Sequence, residues 1–290
     1  MSEPDHIAEN RHSEPRQNPA AEAGYLVFDI EAIPDGNLVK KVRFPGENLE
    51  PAEAIRLAQD QERAKSPTGS DFLPPTLQKP ISICVIRVGK DFLPRNIGIL
   101  DDSDGVHGSL VQKFWLGIGR YPQAQLVTFN GRGYDIPLLE LAAFELGITA
   151  KHHFDLSRKR YTTYHIDLMD WMSNYKAFTI AGGLNLLAKK LGLPGKFDVS
   201  GDKVYELYRE GRFPEINDYC LCDTLDTYFV FLRTRVISGE ITLEEETRIR
   251  SRAVDWLLLQ SEKYPIIRTW LGHWDNPPEA LAQTNLENAD

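Results

Sequence analysis

A chain of 290 residues that is 42% hydrophobic and 26% charged can bury a large core and has an ordinary globular composition. Its formal net charge of -9 excludes a basic protein that coats long nucleic acids, but not an enzyme that grips a few phosphates through bound cations. No apolar run is long enough to span a bilayer, the first residues lack a secretory signal, and Cys84, Cys220 and Cys222 suit core packing in a reducing compartment, the cytoplasm, better than a disulfide scaffold.

Residues 1–23 read as a polar, disordered tail. "GYLVFDIEAI" is the first strand, and "LVKKVRF" after the turn at Gly36 and Asn37 reads as a second. "PAEAIRLAQDQERAK" opens with Pro51 and carries apolar residues at helical spacing. A Pro-rich loop leads to "ISICVIRVG", a β-branched central strand, with a hairpin partner near "NIGILDD". "GSLVQKFWLGIG" is helical, "QLVTFNG" is a strand, and "YDIPLLELAAFELG" is a helix that stops at Gly147. This alternation predicts an α/β core around a mixed sheet.

After Thr179 the pattern is mainly helical. "TIAGGLNLLAKKLGL", "DKVYELYREG" and "EINDYCLCDTLDTYFVFLRTRVISG" carry long apolar stripes, and Tyr228 to Leu232 reads as core. Thr242, with Glu245 three residues later, predicts a capping box at the start of a further helix. The expected domain plan is a core at 24–238, a helical extension at 239–270 and a polar tail at 271–290.

Three short stretches carry the chemistry. Asp29 and Glu31 stand two apart in the first strand, so both point to one face and repel. A hard divalent cation between them would turn that repulsion into attraction; solvated carboxylates at a strand end are the plainer reading. Asn130 ends a strand, and Asp135 begins the next helix, as a cap or as a ligand at the carboxyl end of the sheet. Tyr219 and Asp223 are four apart on one helical face; Asp226 could share that side but is assigned no ligand role.

Together "FDIEA", "TFNGRGYDIPLL" and "YCLCD" resemble the three motifs of the DEDD superfamily of 3'-5' exonucleases, in the tyrosine variant, DEDDy. Their phrasing is similar to a bacterial family of predicted exonucleases related to the proofreading domain of family B DNA polymerases, over roughly Tyr25 to Arg235. The resemblance implies a ribonuclease-H-like fold, a mixed sheet flanked by helices. It implies two divalent cations, Mg2+ or Mn2+, held by Asp29, Glu31, Asp135 and Asp223. Asp29 would bridge both ions, Glu31 and Asp223 would complete the ion that activates water, and Asp135 would hold the second. Tyr219 would orient the water or contact the phosphate, and Asn130 would lie near the substrate terminus.

The implied reaction is hydrolysis of single-stranded DNA to 5'-mononucleotides. The DNA preference rests on the polymerase-linked phrasing, and a protein of DNA replication or repair is a candidate partner. The rivals are an RNA 3'-end exoribonuclease and a non-catalytic nucleic-acid-binding or protein-interaction module. Other residues have plainer roles. Asp167 and Asp170 read as capping or solvated acids beside His165. The run Arg158, Lys159, Arg160 is either a phosphate-contacting loop or a solvated turn. Lys189 and Lys190 close a helix, and Lys196 could reach a phosphate.

Overall fold

The computed structural model describes residues 23–106, 108–159, 162–196 and 203–275. The expected N-terminal tail, apart from Ala23, and the C-terminal tail beyond 275 lie outside these residues, as do Arg160 and the start of "DKVYELYREG". In chain order the elements are β1 (Ala23–Pro34), α1 (Gly36–Arg43), α2 (Pro51–Lys65), β2 (Gln78–Gly89), β3 (Pro94–Asp101), α3 (Ser109–Gly119), β4 (Gln125–Thr128), α4 (Asp135–Leu146) and β5 (His165–Asp167). There follow α5 (Leu168–Met172), α6 (Gly183–Lys190), α7 (Val204–Arg209), α8 (Phe213–Ser238), α9 (Leu243–Gln260) and α10 (Ile266–Gly272).

The strands form one mixed sheet in the order β3-β2-β1-β4-β5. β1 pairs antiparallel with β2, and β2 with β3; β1 and β4, and β4 and β5, run parallel. This is the ribonuclease-H-like α/β arrangement, with β1 at its centre and extra helices at the C-terminal end of the described chain.

Period-two alternation divides β1 between two cores. Leu26, Phe28 and Ile30 pack with Phe114, Trp115, Leu138 and Leu139 of α3 and α4. Val27 joins Cys84, Ile86 and the Leu221 to Leu232 stretch of α8 on the opposite face. Asp29 and Glu31 lie on that second face, so the fold brings the acids of β1 under α8.

Two sequence expectations change. "LVKKVRF" is the helix α1, not a strand. The Asp35 carboxylate accepts the Leu38 amide at 3.0 Å and starts a turn, and helical spacing buries Val39 against Ala54 and Ala58 of α2. That small separate core, with Phe44, Leu73 and Leu77, overrides the strand preference of the valines. The chain also keeps folding past Trp270: α10 runs to Gly272, Trp270 stacks on the buried Phe229 at 5.7 Å, and Trp274 meets the same ring edge-on at 4.9 Å. The capping box of α9 forms as expected, with the Glu245 amide donating to Thr242 Oγ1 at 3.1 Å.

His165 is buried between β4 and the cleft behind it, its Nε2 2.9 Å from Thr128 Oγ1. Burial, with Arg132 and His153 adding to it, pushes its pKa down to about 3, so the folded imidazole is neutral. An unfolded histidine titrates near about 6.5. Protonation therefore favours the unfolded chain, and the contribution of His165 is present above that value and lost as pH falls toward 3. His165→Gln keeps a partner for Thr128 without titrating. Denaturant unfolding followed from pH 7 to 4 should show a shallower loss of stability for this variant. Equal slopes would contradict the assignment.

Candidate active site

Asp29 and Glu31 sit opposite Cys84 and Ser82 on β2. The register slips between Glu31 and Ala32, which pairs with Pro80, so Ile81 is passed over. Such a bulge re-aims the strand beside a site, here one residue beyond Glu31. Glu31 is buried and Asp29 half-buried.

Asp135 reaches the same place from the opposite layer. β4 stops at Thr128, and the chain turns through Asn130 at φ 62, a left-handed conformation that asparagine tolerates better than most. Asp167 holds this turn: its carboxylate accepts the Asn130 amide at 2.9 Å and the Arg132 amide at 2.8 Å. It also caps α5 through the Met169 amide, the structural role its sequence context favours. A Cβ on Gly131 would stand 2.3 Å from Thr128 Oγ1, so only glycine allows this approach. The turn delivers Asp135 as the first residue of α4, buried, with its carboxylate beside the positive end of the helix. Asp135 is not the cap of that helix; Tyr134 occupies the cap position and donates its hydroxyl to Gln78 Oε1 at 2.7 Å.

The third contribution comes from α8. Tyr219 and Asp223 face the acids of β1, and the Tyr219 hydroxyl is hydrogen-bonded to Asp223. The helix is registered on the sheet by Asn217, whose distant partners give it no local sequence signal. Asn217 Oδ1 accepts from the Ser82 hydroxyl at 2.6 Å, and its Nδ2 donates to Asp101 Oδ2 at 2.6 Å. One amide thus ties α8 to β2 and β3, two residues before Tyr219. Lys196 enters from the loop after α6, where its amide donates to Asn185 Oδ1 at 2.9 Å. Its ammonium lies 5.9 Å from the centre of the Tyr219 ring and draws on both Glu31 and Asp223.

The electrostatics follow from this crowding. Burial raises the Asp29 pKa well above the carboxylate range, and the charges of Asp135, Asp223 and Glu31 add to it. Glu31 is raised by burial and by Asp223, against the pull of Lys196. Asp135 and Asp223 are raised by burial as well. The Ile30 amide faces both Asp29 and Asp135 and lowers each in part. Among the described residues Lys196 is the cation that acts on Glu31 and Asp223, and Asp29 and Asp135 feel none, too little positive charge for all four to ionise together.

Asp29, Glu31 and Cys220 place a ligand atom each within 4.8 Å of one another and could hold a divalent cation. Cys220 is a poor third ligand. Its thiol donates to the Asp29 carbonyl at 3.3 Å, and burial beside Asp29 and Glu31 raises its pKa, so it stays protonated. The oxygen-rich donor set of the carboxylates suits magnesium or manganese.

The remaining sequence candidates have structural partners. Arg158 is tied to Glu140 at 2.9 Å beside α4. The three cysteines are buried and free. Asp226 is buried one turn below Asp223 and accepts from the Trp270 indole at 3.2 Å, fastening α10 to α8. Burial, then the charge of Asp223, raises its pKa to about 8, so it is protonated in the fold at neutral pH. Its stabilising contribution is complete below about 4, the unfolded value, and is lost as pH rises through about 8. Asp226→Asn mimics the protonated acid. Melting temperatures should show this variant as stable as the parent at pH 5 and more stable at pH 9. A variant that melts lower at both would contradict this.

The family model described as "predicted 3'-5' exonuclease related to the exonuclease domain of PolB" matches residues 70–274, a span that holds Asp135, Tyr219 and Asp223 and begins after Asp29 and Glu31. A comparison with curated proteins finds no match. Among solved structures, the chain is similar to the family B DNA polymerase from the hyperthermophilic archaeon Pyrobaculum calidifontis, at 16% identity and a TM-score of 0.47. That likeness covers 83% of this chain and 29% of the polymerase, less than a third of its length. With well over half its length matched, the chain belongs to the family of predicted 3'-5' exonucleases related to the exonuclease domain of PolB.

Proposed function

We propose that the protein is a 3'-5' exonuclease that removes 5'-mononucleotides from single-stranded DNA with two divalent cations, Mg2+ or Mn2+. The observation that carries this reading is the meeting of four under-neutralised carboxylates, Asp29, Glu31, Asp135 and Asp223, drawn from β1, α4 and α8. Their oxygen donors fit hard cations, and their raised pKa values show how poorly the protein alone satisfies them. When bound, the cations would neutralise the phosphodiester, activate water and stabilise the leaving 3' oxygen.

The chain's own residues supply the rest. Tyr219 keeps its proton, since burial and the neighbouring acids raise its pKa, so the phenol acts as a donor and not as a base. Its bond to Asp223 fixes the ring, and from there it orients the attacking water or a phosphate oxygen. Lys196 stands beside Glu31 and Asp223, placed to pair with a non-bridging phosphate oxygen. The Asn130 side chain, over the turn that delivers Asp135, meets the substrate terminus. Residues 24–238 form the catalytic unit in this reading, with 239–270 a helical extension fastened to it by Trp270 and Asp226.

The test is stepwise shortening of a 5'-labelled oligonucleotide in magnesium or manganese, stopped by chelation. Asp223→Asn should lower turnover roughly 10²-fold or more, as for loss of a strong preorganised electrostatic contact. The same change relieves repulsion, so the metal-free melting temperature should hold or rise while the gain on adding manganese shrinks. Tyr219→Phe should lower activity and leave the manganese gain nearly intact. Absence of stepwise products from both DNA and RNA with either metal would sink the enzyme reading. A large preference for RNA would keep the enzyme and overturn the substrate.

A further inference from the structure

The turn between α5 and α6 carries an unusual backbone. Asn174, Tyr175 and Lys176 all have left-handed φ, at 49°, 56° and 67°. Asparagine visits this region readily, whereas tyrosine and lysine pay a steric cost, and a run of three is strained. The run is held from below: the Tyr175 amide donates to the Asp170 carbonyl at 2.7 Å, and the Lys176 amide donates to Ser173 Oγ at 2.9 Å, with Ser173 buried. Glycine would adopt these angles without strain. Strain of this kind concentrates where side chains are put to use.

Three side chains of this segment project into solvent. Tyr175 and Phe178 are 56% and 58% exposed, and Lys176 between them is exposed and pairs with no carboxylate among the described residues. The Lys176 ammonium stands over the turn that delivers Asp135: a Cβ on Gly133 would lie 3.4 Å from it and 2.7 Å from Asn130 Oδ1. Tyr175 and Lys176 line a cleft with Arg132 and Arg158 that starts at Ile136 and Pro137, next to Asp135. In that cleft Arg158 is paired with Glu140, and Arg132 with Asp170 and the His165 carbonyl, which leaves Lys176, among the described residues, as the cation offered outward.

An exposed cation with two projecting aromatic residues near it in the chain, beside the turn that delivers Asp135, matches the chemistry of a single strand. The cation tracks the backbone phosphates, and the rings accept any base face. We propose that Asn174–Phe178 is a seat for single-stranded nucleic acid leading to the reacting 3' end, with Lys176 on a backbone phosphate and Tyr175 and Phe178 stacked on bases. This inference rests on the exonuclease reading of the neighbouring acids.

The experiment uses the full chain and a 5'-fluorescein-labelled oligothymidylate dodecamer. Binding is read by anisotropy, in chelator and again in calcium. Tyr175→Gly combined with Phe178→Ala should weaken binding roughly tenfold or more, within the range found for lost base stacking. Lys176→Ala should flatten the dependence of log affinity on log salt by about 0.7. Glycine suits φ at position 175, so Tyr175→Gly alone should melt no lower than the parent, which separates lost binding from lost folding. In turnover, the loss of kcat/KM in the double variant should be larger for the dodecamer than for a dinucleotide. Parent-like binding by the variants, no binding by the parent in either condition, or equal kinetic losses at both lengths would each overturn the proposal. Binding that follows the prediction in a protein that cuts nothing would sink the exonuclease reading and leave the seat standing.

Discussion

Four carboxylates act on one another around β1 with, among the described residues, one lysine facing two of them, and the rest of the architecture is arranged around that conflict. Burial alone disfavours their ionisation, and each neighbour's charge disfavours it further. A fold has no reason of stability to gather such groups. Local devices hold them together: the Ile30 amide between Asp29 and Asp135, the Tyr219 hydroxyl on Asp223, and Lys196 facing Glu31. None neutralises the group as a whole. Divalent cations would make the arrangement favourable, which is the ground for the proposed cation site and the proposed hydrolysis.

Rigid supports beneath the acids keep the conflict from being relaxed by movement. Asp167 spends its carboxylate on four backbone amides, at Asn130, Arg132, Met169 and Asp170, and so shapes the turn before Asp135 and the start of α5 together. Asn217 joins α8 to β2 and β3. Asp226 and Trp270 then clamp α10 against the far side of α8. These polar groups are assigned no ligand role, yet each fixes an element that delivers an acid to the centre.

What the residues reveal by themselves depends on the range of the interaction. Asp29 and Glu31 are legible because a strand's period of two puts them on one face. Tyr219 and Asp223 are legible because they are four apart in a helix. The capping box at Thr242 and the stop at Gly147 are local and equally plain. Helix α1 is not legible: its valines favour a strand, and only packing against α2 decides otherwise. Helix α10 is hidden for the same reason, since its partner Asp226 lies 44 residues away. Asn217 reads as an ordinary polar helix residue, for its partners are 135 and 116 positions distant. The backbone strain at 174–176 leaves no sequence signal either, because nothing in "SNYKAF" demands left-handed angles.

The central claim, that the acids are crowded beyond what the protein can neutralise and await cations, can be measured without any nuclease assay. Manganese is titrated calorimetrically into the protein at pH 7 in two buffers of different ionisation enthalpy, which counts the protons exchanged on binding. Carboxylates held partly protonated by burial and by one another must give up protons as the metal enters. The account predicts net proton release, which shrinks when Asp29 is replaced by asparagine. Manganese that binds without displacing protons, or that does not bind at all, would contradict it.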